Sequence, residues 1–344
     1  MTLTEKEIFS QYKALEKTLA AVGGIGDETR SFYINSGCKS ITFIGCGSSY
    51  FLSKSAAQAA RLRLDIPAYA YPAGDLLVNF DTYAPLLKNT LLVTISRSGS
   101  TSEVLMLAER AACEPGIKCI SVCAREDAGI SRFADLNIEI PWAFDESVCQ
   151  TRSVSNLYLA VMMFIALVSE DKKLLDSLRG VVFDGEGYMR ANRPALEKVA
   201  EAGWKQAVVL ADGELAGIAE EGALAFTEIS LLPSRFSHAL DVRHGPIVLI
   251  DSGALVVMAL PGGAQTHHLK LIDDLKARGS MLAVFSDTEE EIPAADLHIS
   301  VSAREIAAQG IPFIFIPQTL SLFKALARGI DPDKPKGLDA WIKL

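Results

Sequence analysis

The sequence predicts an α/β protein made of two tandem three-layer α/β/α units with mainly parallel sheets. Strand candidates are short β-branched or apolar runs that end near Gly or Ser, and each is followed by a helical pattern. Equivalent strands of the two halves lie about 160 to 165 residues apart, which indicates an internal repeat. Continuous apolar strands that alternate with helices are typical of parallel sheets covered on both faces.

Each half contains four strand candidates. They are residues 40–44, 91–95, 119–122 and 136–140 in the first half, and 207–210, 254–258, 281–285 and 297–301 in the second. The strongest local match aligns Ala-Asp-Leu-Asn-Ile at 134–138 with Ala-Asp-Leu-His-Ile at 295–299. We expect the boundary near residues 184–192, where Asp-Gly-Glu-Gly interrupts the apolar pattern. The predicted units are therefore 1–185, with a leading helix, and 186–344, with a C-terminal tail.

Composition and charge exclude several classes of protein. Of the 344 residues 49% are hydrophobic, which is too apolar for a disordered chain. Because 42 Asp+Glu outnumber 33 Lys+Arg, the net charge is -9 and we expect no nucleic-acid partner. The longest apolar stretch, Leu157 to Val168, is shorter than the roughly 20 residues of a membrane helix, so it is predicted to be a buried helix and no membrane partner is expected. The N-terminus lacks a signal-peptide layout, and Thr4 and Glu7 instead have capping-box spacing.

The cysteines and histidines do not form a metal-binding pattern. The six cysteines include no C-x-x-C pair, which indicates reduced thiols in a cytoplasmic protein. His267 and His268 have no carboxylate or thiolate beside them and are predicted to precede a helix over 269–278. His298 lies within a strand and is predicted to be structural. We expect no metal and no cofactor.

Two polar loops follow the first two strands of the first half. Residues 96–101, Ser-Arg-Ser-Gly-Ser-Thr, combine hydroxyls, a glycine and the free amides of a helix start, a combination that binds anions. Parallel sheets hold ligands beyond the carboxyl ends of their strands, so we favour a phosphate site over a turn that only caps the helix. The absence of Gly-Lys-Ser/Thr argues against a nucleoside triphosphate. The other loop, Gly45 to Ser49, is not a G-x-G-x-x-G fingerprint and indicates either a close approach to a ligand or a tight turn.

Candidate acids and bases lie in the second half. Glu221 and Glu228 are seven residues apart and therefore lie on one helical face. Their helix is otherwise small and apolar, so a carboxylate that faces inward is costly without a task, although both could face solvent. His244 lies in a tight loop before an apolar strand, where a structural hydrogen bond and proton transfer near neutral pH are both open.

Together, the two loops, the Glu/His segment and the doubled plan resemble the SIS, or sugar isomerase, family over nearly the whole chain. The similarity is to its double-SIS phosphosugar isomerases and deaminases, such as the isomerase half of glucosamine-6-phosphate synthase. It implies a phosphate site at Ser96, Arg97, Ser98 and Thr101. It also implies sugar contacts from Gly47, Ser48, Ser49, Val148, Gln150, Thr151 and Glu221; Thr151 is equally well placed to cap the following helix.

The resemblance also implies the chemistry. According to this resemblance, Glu228 transfers the proton between C1 and C2 of a sugar phosphate, and His244 opens the ring. The histidine is expected to reach the site of the neighbouring subunit, which implies a homodimer with shared active sites. No redox cofactor or metal is needed for these steps.

Four positions depart from the synthase pattern. Arg97 replaces a glutamine and resembles the aminosugar-phosphate isomerases and deaminases of the family. Ala340 and Ala225 replace lysines, and Lys343 is a candidate substitute for the first of these. Thr2 stands where the synthase begins with a catalytic cysteine, so glutamine is not expected to be the nitrogen donor.

The predicted function is a cytoplasmic aldose–ketose isomerase that acts on an aminosugar 6-phosphate with release of ammonia. Two alternatives remain. One is a deglycase for fructosamine 6-phosphates, which needs the same proton transfer and a roomier entrance. The other is a non-catalytic sugar-phosphate sensor, although sensors of this family usually lack the Glu/His pair and carry a helix-turn-helix.

Overall fold

A computed structural model describes residues 1–288, 290–292, 294–302 and 304–340. Each half of the chain forms a five-stranded sheet in which every strand pair is parallel. The first sheet contains β1 (Ser40–Gly45), β2 (Ala68–Pro72), β3 (Thr90–Ser96), β4 (Lys118–Cys123) and β5 (Leu136–Glu139). The second contains β6 (Gln206–Leu210), β7 (Ser234–Ser237), β8 (Ala254–Leu260), β9 (Met281–Ser286) and β10 (Leu297–Ser300).

The two sheets have the same topology. The first runs β2-β1-β3-β4-β5, and the second, read from its β7 edge, runs β7-β6-β8-β9-β10. Each strand of the first sheet therefore has an equivalent in the second, five positions later in strand order. This equivalence confirms the predicted repeat and the parallel α/β fold.

The eight predicted strands are confirmed, but β2 and β7 were missed. These two are equivalent edge strands, and each pairs with a single neighbour. Most of their residues are only half-buried. Their sequences, Ala-Tyr-Ala-Tyr-Pro and Ser-Arg-Phe-Ser, therefore lack the continuous apolar run by which the inner strands were recognised.

Helices cover both sheets. In chain order they are α1 (Leu3–Gly24), α2 (Gly26–Ser36), α3 (Ser48–Arg63), α4 (Ala73–Val78), α5 (Phe80–Leu87), α6 (Ser102–Ala112), α7 (Arg152–Val168), α8 (Lys172–Glu201), α9 (Ala216–Ser230), α10 (Thr266–Ala277) and α11 (Ile306–Ala327). The buried helix predicted from the apolar stretch 157–168 is α7. The largest apolar cluster combines side chains of both sheets with α7 and α11, so the two units share one core.

Helix α8 runs through the position of the predicted boundary. Its 30 residues include the Asp-Gly-Glu-Gly stretch at 184–187, so no break in secondary structure occurs there. The helix connects the last helix of the first unit to β6. The division at 185/186 therefore stays a prediction, and a continuous helix crosses it.

Helix α11 has the length and apolar composition of a membrane span, a feature that was not predicted from the sequence. However, 94% of its most apolar window is buried inside the fold. It packs mainly against α8 and α9. In this structure α11 is therefore a core helix, like the shorter apolar helix α7.

Candidate active site

The site lies at the carboxyl end of the first sheet, between β1 and β3. The neighbouring strands β2 and β4 lie on opposite sides of this pair, which makes it the topological switch point of the sheet. The loops after β1 and β3 are the two polar loops selected from the sequence. A cavity of about 190 Å³ opens between them.

Separate parts of the chain line this cavity. They are the loop after β1 (Cys46, Gly47 and Ser49), the loop after β3 with the start of α6 (Ser96, Arg97, Ser98, Thr101, Glu103), Gln150, Glu228 and the tail (Leu338, Asp339 and Ala340). The structure thus brings the predicted phosphate loop, the first loop, Gln150 and Glu228 together. Ser48, Glu221, Val148, Thr151 and His244 lie off the lining.

The loop after β3 is shaped by its own side chains. Ser96 Oγ accepts a hydrogen bond from the Gly99 amide at 2.9 Å, and Ser98 Oγ accepts one from the Ser100 amide at 3.2 Å. Gly99 has φ 58°, and a Cβ there would overlap the side chains of both Cys123 and Ala128. Glycine is therefore required at this turn. The turn leads directly into α6, whose first amides carry partial positive charge.

Arg97 has partners that the sequence did not indicate. Its side chain is buried, and Nη1 donates to the carbonyls of Ser147 at 3.1 Å and Val148 at 2.9 Å. Nη2 donates to the carbonyl of Ala340. Arg97 therefore connects the phosphate loop to the segment after β5 and to the tail. Its described hydrogen bonds go to carbonyls, and direct phosphate contact by Arg97 stays a prediction.

Glu228 lies near the end of α9, and its carboxyl group faces the cavity. Burial raises the pKa of Glu228 to about 7, while the nearby Arg97 charge lowers it. A carboxyl group with this pKa exchanges protons readily near neutral pH, because both of its protonation states are populated. This is the property that a proton-transferring base needs.

Glu221 is buried seven residues earlier on the same helix. Burial and the charge of Glu228 raise the pKa of Glu221 well above its ordinary value, while the adjacent Ser48 hydroxyl lowers it. Its Oε2 atom has no hydrogen-bond partner among the described residues. The alternative in which both glutamates face solvent is therefore wrong, and Glu221 lies behind the first loop in contact with Ser48.

Two acidic side chains hold the loop between β5 and α7. Glu7 Oε1 accepts from the amides of Glu146 at 2.7 Å and Ser147 at 3.2 Å. Asp145 accepts from the amides at the start of α7, including Thr151 at 2.9 Å. Asp145 therefore caps α7 in place of the Thr151 side chain, which makes no capping bond. Burial and the Asp145 charge raise the pKa of Glu7 to about 7.

The predicted capping box at Thr4 and Glu7 is wrong. The N-cap of α1 is Thr2, whose hydroxyl accepts from Glu5. The Thr4 hydroxyl instead donates to the tail, to the carbonyl of Pro332 at 2.9 Å. Thr4 therefore connects α1 to the tail, and Glu7 connects it to the loop between β5 and α7. Their capping-box spacing is a coincidence.

The C-terminal tail is fixed at the start of α1. The Asp333 carboxylate accepts from the amides of Leu3 at 2.8 Å and Thr4 at 2.7 Å, where the helix dipole favours negative charge. Further along, Leu338 packs on a small apolar cluster that contains Ala225, one of the two alanines that stand in place of a synthase lysine. The tail thereby places Ala340, the other of these two alanines, in the wall of the active-site cavity. Lys343 lies outside the described residues.

His244 is exposed and does not line the cavity of its own chain. It follows the short 3-10 turn Asp241–Arg243. Arg235 Nη2 donates to the carbonyl of Pro246 at 3.1 Å, and Arg243 pairs with Asp274 at 2.7 Å, so both sides of the histidine loop are held. The expected role of His244 in a neighbouring subunit stays a prediction.

Two further histidines have hydrogen-bond partners, and that of His298 agrees with its predicted structural role. His268 Nδ1 accepts from the amide of Gln265 at 3.3 Å as part of a capping box for α10. His298 Nε2 lies 2.7 Å from Ser286 Oγ within the second sheet. All six cysteines are free thiols, and the thiol of Cys113 is exposed. Among the described residues, no group of three or more His, Cys, Asp or Glu side chains has a metal-binding arrangement.

Comparison with known proteins identifies the family. The family profile described as SIS domain matches residues 36–169 and 202–328. The chain belongs to the SIS domain family. The two matched SIS segments contain the two sheets, and the whole of α8 lies between them. The resemblance inferred from the loops and the Glu/His segment is thereby confirmed.

The curated proteins similar to this chain include aminotransferases. Glutamine–fructose-6-phosphate aminotransferase [isomerizing] of Shewanella oneidensis is 28% identical over 355 residues, which cover 97% of this chain and 57% of that protein. Form 2 of the same enzyme from Homo sapiens is 26% identical, with 97% and 51% covered. The chain therefore spans little more than half the length of these relatives.

Similar solved structures match over all or nearly all of their length. Glucosamine-6-phosphate deaminase from Thermotoga maritima has a TM-score of 0.82 and 26% identity, and the match covers 100% of both chains. Tagatose-6-phosphate ketose/aldose isomerase from Escherichia coli has a TM-score of 0.86 and 23% identity, with 98% and 96% covered. The C-terminal domain of glucosamine-fructose-6-phosphate aminotransferase from Francisella tularensis has a TM-score of 0.84 and 20% identity, with 97% and 98% covered.

Proposed function

We propose that this SIS protein is a phosphosugar aldose–ketose isomerase. The observation that carries the proposal is the convergence of the Ser96–Thr101 loop and Glu228 on one cavity. The loop supplies hydroxyls and helix amides for a phosphate, and the carboxyl group has a pKa of about 7 for proton transfer. The names of the similar enzymes, which include a glucosamine-6-phosphate deaminase and a tagatose-6-phosphate isomerase, support a sugar 6-phosphate as substrate.

The proposed reaction proceeds from the open-chain aldose. The Glu228 carboxylate removes the proton from C2, and the C1 oxygen gains negative charge in the enediolate. Glu228 then returns the proton to C1 while the proton of the C2 hydroxyl passes to the C1 oxygen, which leaves a carbonyl at C2. The Arg97 guanidinium, whose charge acts on Glu228, stabilises the negative intermediate. Ring opening is assigned to His244 of a second subunit, so the proposed working form is a homodimer.

We further propose an aminosugar 6-phosphate as substrate and ammonia as the second product. With an amino group on C2, the same proton transfer gives a C2 imine; water adds to the imine, ammonia leaves and a ketose phosphate remains. The Thermotoga maritima structure, named as a glucosamine-6-phosphate deaminase, supports this choice. The reduced thiols favour a cytoplasmic setting.

The size of the cavity favours this substrate over that of a deglycase. A fructosamine 6-phosphate carries an amino acid on the sugar and needs a wider entrance. Here the tail residues 338–340 form one wall of a cavity of only about 190 Å³. The half-buried Glu228 likewise favours catalysis over a sensor, because a sensor has no use for a base with a pKa near 7.

A substrate panel tests the proposal. The protein is incubated with hexose, hexosamine and fructosamine 6-phosphates, and ketose and ammonia are followed together. We expect ketose and ammonia in equal amounts from a hexosamine 6-phosphate. Ketose without ammonia from a hexose phosphate would support isomerisation alone, release of an amino acid would support the deglycase, and no turnover with tight binding would support the sensor.

The phosphate loop gives a prediction for binding. In the double variant Ser98→Ala/Thr101→Ala we expect KM for the phosphorylated sugar to rise by roughly 10- to 100-fold, because hydrogen bonds to a charged group are lost. The kcat value should change much less. Ser102→Ala, one residue further into α6, is the matched control. Equal use of the unphosphorylated sugar by the wild type would contradict a phosphate loop.

The raised pKa of Glu228 gives a prediction for pH. The base must be ionised to take a proton, and its pKa in the free enzyme is about 7. Therefore kcat/KM should be low below this pH and should rise through about pH 7 to a plateau. The measurement is the pH profile of kcat/KM from pH 5 to 9, taken within the range of folding stability. A profile already flat above pH 5 would contradict a raised pKa.

A further inference from the structure

A second cavity lies between α1, α8 and the segment that follows β10. Neither Glu228, His244 nor the loop 96–101 contributes to its wall. Its volume is about 370 Å³, and Tyr12, Asp184, Gly187 and Arg304 are part of its wall. An adjoining apolar groove of about 560 Å³ shares Asp184 and Arg304 with the cavity. Phe183 lies in this groove with 88% of its surface exposed. The two spaces together have the size of a small-molecule site.

Three glycines of α8 shape this region, and glycine is the poorest helix former apart from proline. A Cβ on Gly180 would overlap the Arg304 guanidinium, and a Cβ on Gly185 would overlap the Tyr12 ring. A Cβ on Gly187 would meet open space. Gly180 and Gly185 therefore allow the Arg304 and Tyr12 side chains to pack directly against the helix backbone, and Gly187 leaves open space beside the helix. The Asp-Gly-Glu-Gly stretch at 184–187 thus belongs to a cavity wall.

The Tyr12 hydroxyl has no hydrogen-bond partner in the part of the chain that the structure describes. The Tyr12 side chain is fully buried. A buried hydroxyl without a partner is costly, so such groups are ordinarily satisfied by protein, water or a ligand. Because Tyr12 forms part of the cavity wall, a small outward shift of its buried ring would let a polar group in the cavity supply the missing hydrogen bond.

Arg304 already binds a carboxylate at the edge of this cavity. Its Nη2 atom donates to Asp184 Oδ2 at 2.5 Å. The Asp184 side chain is 51% exposed, whereas that of Arg304 is 23% exposed. A ligand carboxylate can therefore replace Asp184 on the guanidinium while Asp184 turns to solvent, and the geometry suits a planar anion.

We propose that this cavity binds a small organic carboxylate with an apolar or aromatic body and that the ligand regulates the active site. The carboxylate binds Arg304, a polar group of the ligand reaches Tyr12, and the apolar body lies along the groove beside Phe183.

Helix α1 connects the two sites. Tyr12 lies on the same helix as Glu7, which binds the amides of Glu146 and Ser147, and as Thr4, which binds the tail. Arg97 joins the same two segments, the loop between β5 and α7 and the tail, at the active site. A ligand that fixes the position of Tyr12 therefore also affects the positions of these two segments. The regulatory part of the inference rests on the proposed isomerase function, whereas binding does not.

Gly187 offers a variant that blocks the cavity without removing a contact. Calorimetric titration with 4-hydroxyphenylacetate should give a Kd of about 1 mM or tighter for the wild type. Gly187→Leu should weaken this binding by at least about tenfold, and Gly187→Ala, which gains the same helix propensity but little volume, should not. The neutral 4-hydroxyphenylacetamide should bind more weakly than the acid to the wild type, and Arg304→Gln should remove this difference.

The outcomes separate binding from regulation. No saturable binding of the acid, or equal binding by Gly187→Leu, overturns the site, and equal binding of acid and amide overturns the assignment of Arg304. If the acid binds, it should change kcat or KM of the wild type at least about twofold and leave Gly187→Leu unaffected. Binding without this change overturns the regulatory role, whereas binding to a protein that turns over no phosphosugar overturns the proposed function alone.

Discussion

Replacing Glu228 by glutamine is expected to lower kcat for isomerisation by about 10²- to 10⁴-fold, because an amide cannot take the proton from C2. Glutamine keeps the size of the side chain and its place at the cavity, so binding of the phosphosugar should change little. The Ser96–Thr101 loop, which we propose holds the phosphate, is untouched by the change. The measurement combines kcat with calorimetric titration of the substrate.

Glu220 provides the matched control for this variant. It is the eighth residue before Glu228 on α9, and it pairs with Lys54 at 2.6 Å on another side of the helix. Glu220→Gln should therefore keep nearly full kcat. Turnover by Glu228→Gln at the level of this control would remove Glu228 from the mechanism.

The inner part of the fold could be predicted because it depends on local patterns. Runs such as Leu91 to Ile95 are buried on both faces, so their apolar residues are continuous and easy to recognise. The edge strands β2 and β7 are half-buried, and their sequences do not separate them from loops. The same reasoning failed at residues 184–187, where glycines that accommodate Tyr12 and Arg304 were interpreted as an interruption.

The parts of the site that could be predicted are also local. The hydroxyls of residues 96–101 and the spacing of Glu221 and Glu228 are visible within short segments. By contrast, Glu7 contacts residues 139 and 140 positions away, and Asp333 contacts residues about 330 positions away. No pattern in the sequence records such pairings, because they depend on how α1 packs against the finished fold.

Arg97 shows how the fold can reassign a side chain. A guanidinium in a hydroxyl-rich loop suits a phosphate, and this was the prediction from the sequence. In the structure the same group binds three carbonyls from two other segments, where burial lowers the pKa of Arg97 while its charge lies near Glu228. At the two positions where the resemblance to the synthase implies lysine, this chain has Ala225 and Ala340, so Arg97 supplies positive charge in a cavity that lacks those two cations.

Mixing two inactive variants is expected to restore activity if the proposed shared active site exists. Glu228→Gln lacks the base, and His244→Ala lacks the group assigned to ring opening. If His244 acts on the neighbouring subunit, each mixed dimer contains one complete site, formed by Glu228 of one chain and His244 of the other. Random exchange of equal amounts should therefore recover about one quarter of wild-type activity.

The exposed position of His244 makes this outcome decisive. The histidine does not line the cavity of its own chain, and the exposed apolar residues Val248 and Leu249 follow it, as expected of a surface that another chain covers. The two variants are mixed after mild dissociation, and kcat is compared with that of each variant alone and of wild type treated in the same way. Recovery to about one quarter would assign the ring-opening group to the second subunit, because a histidine that acts within its own chain leaves every mixed dimer without a complete site.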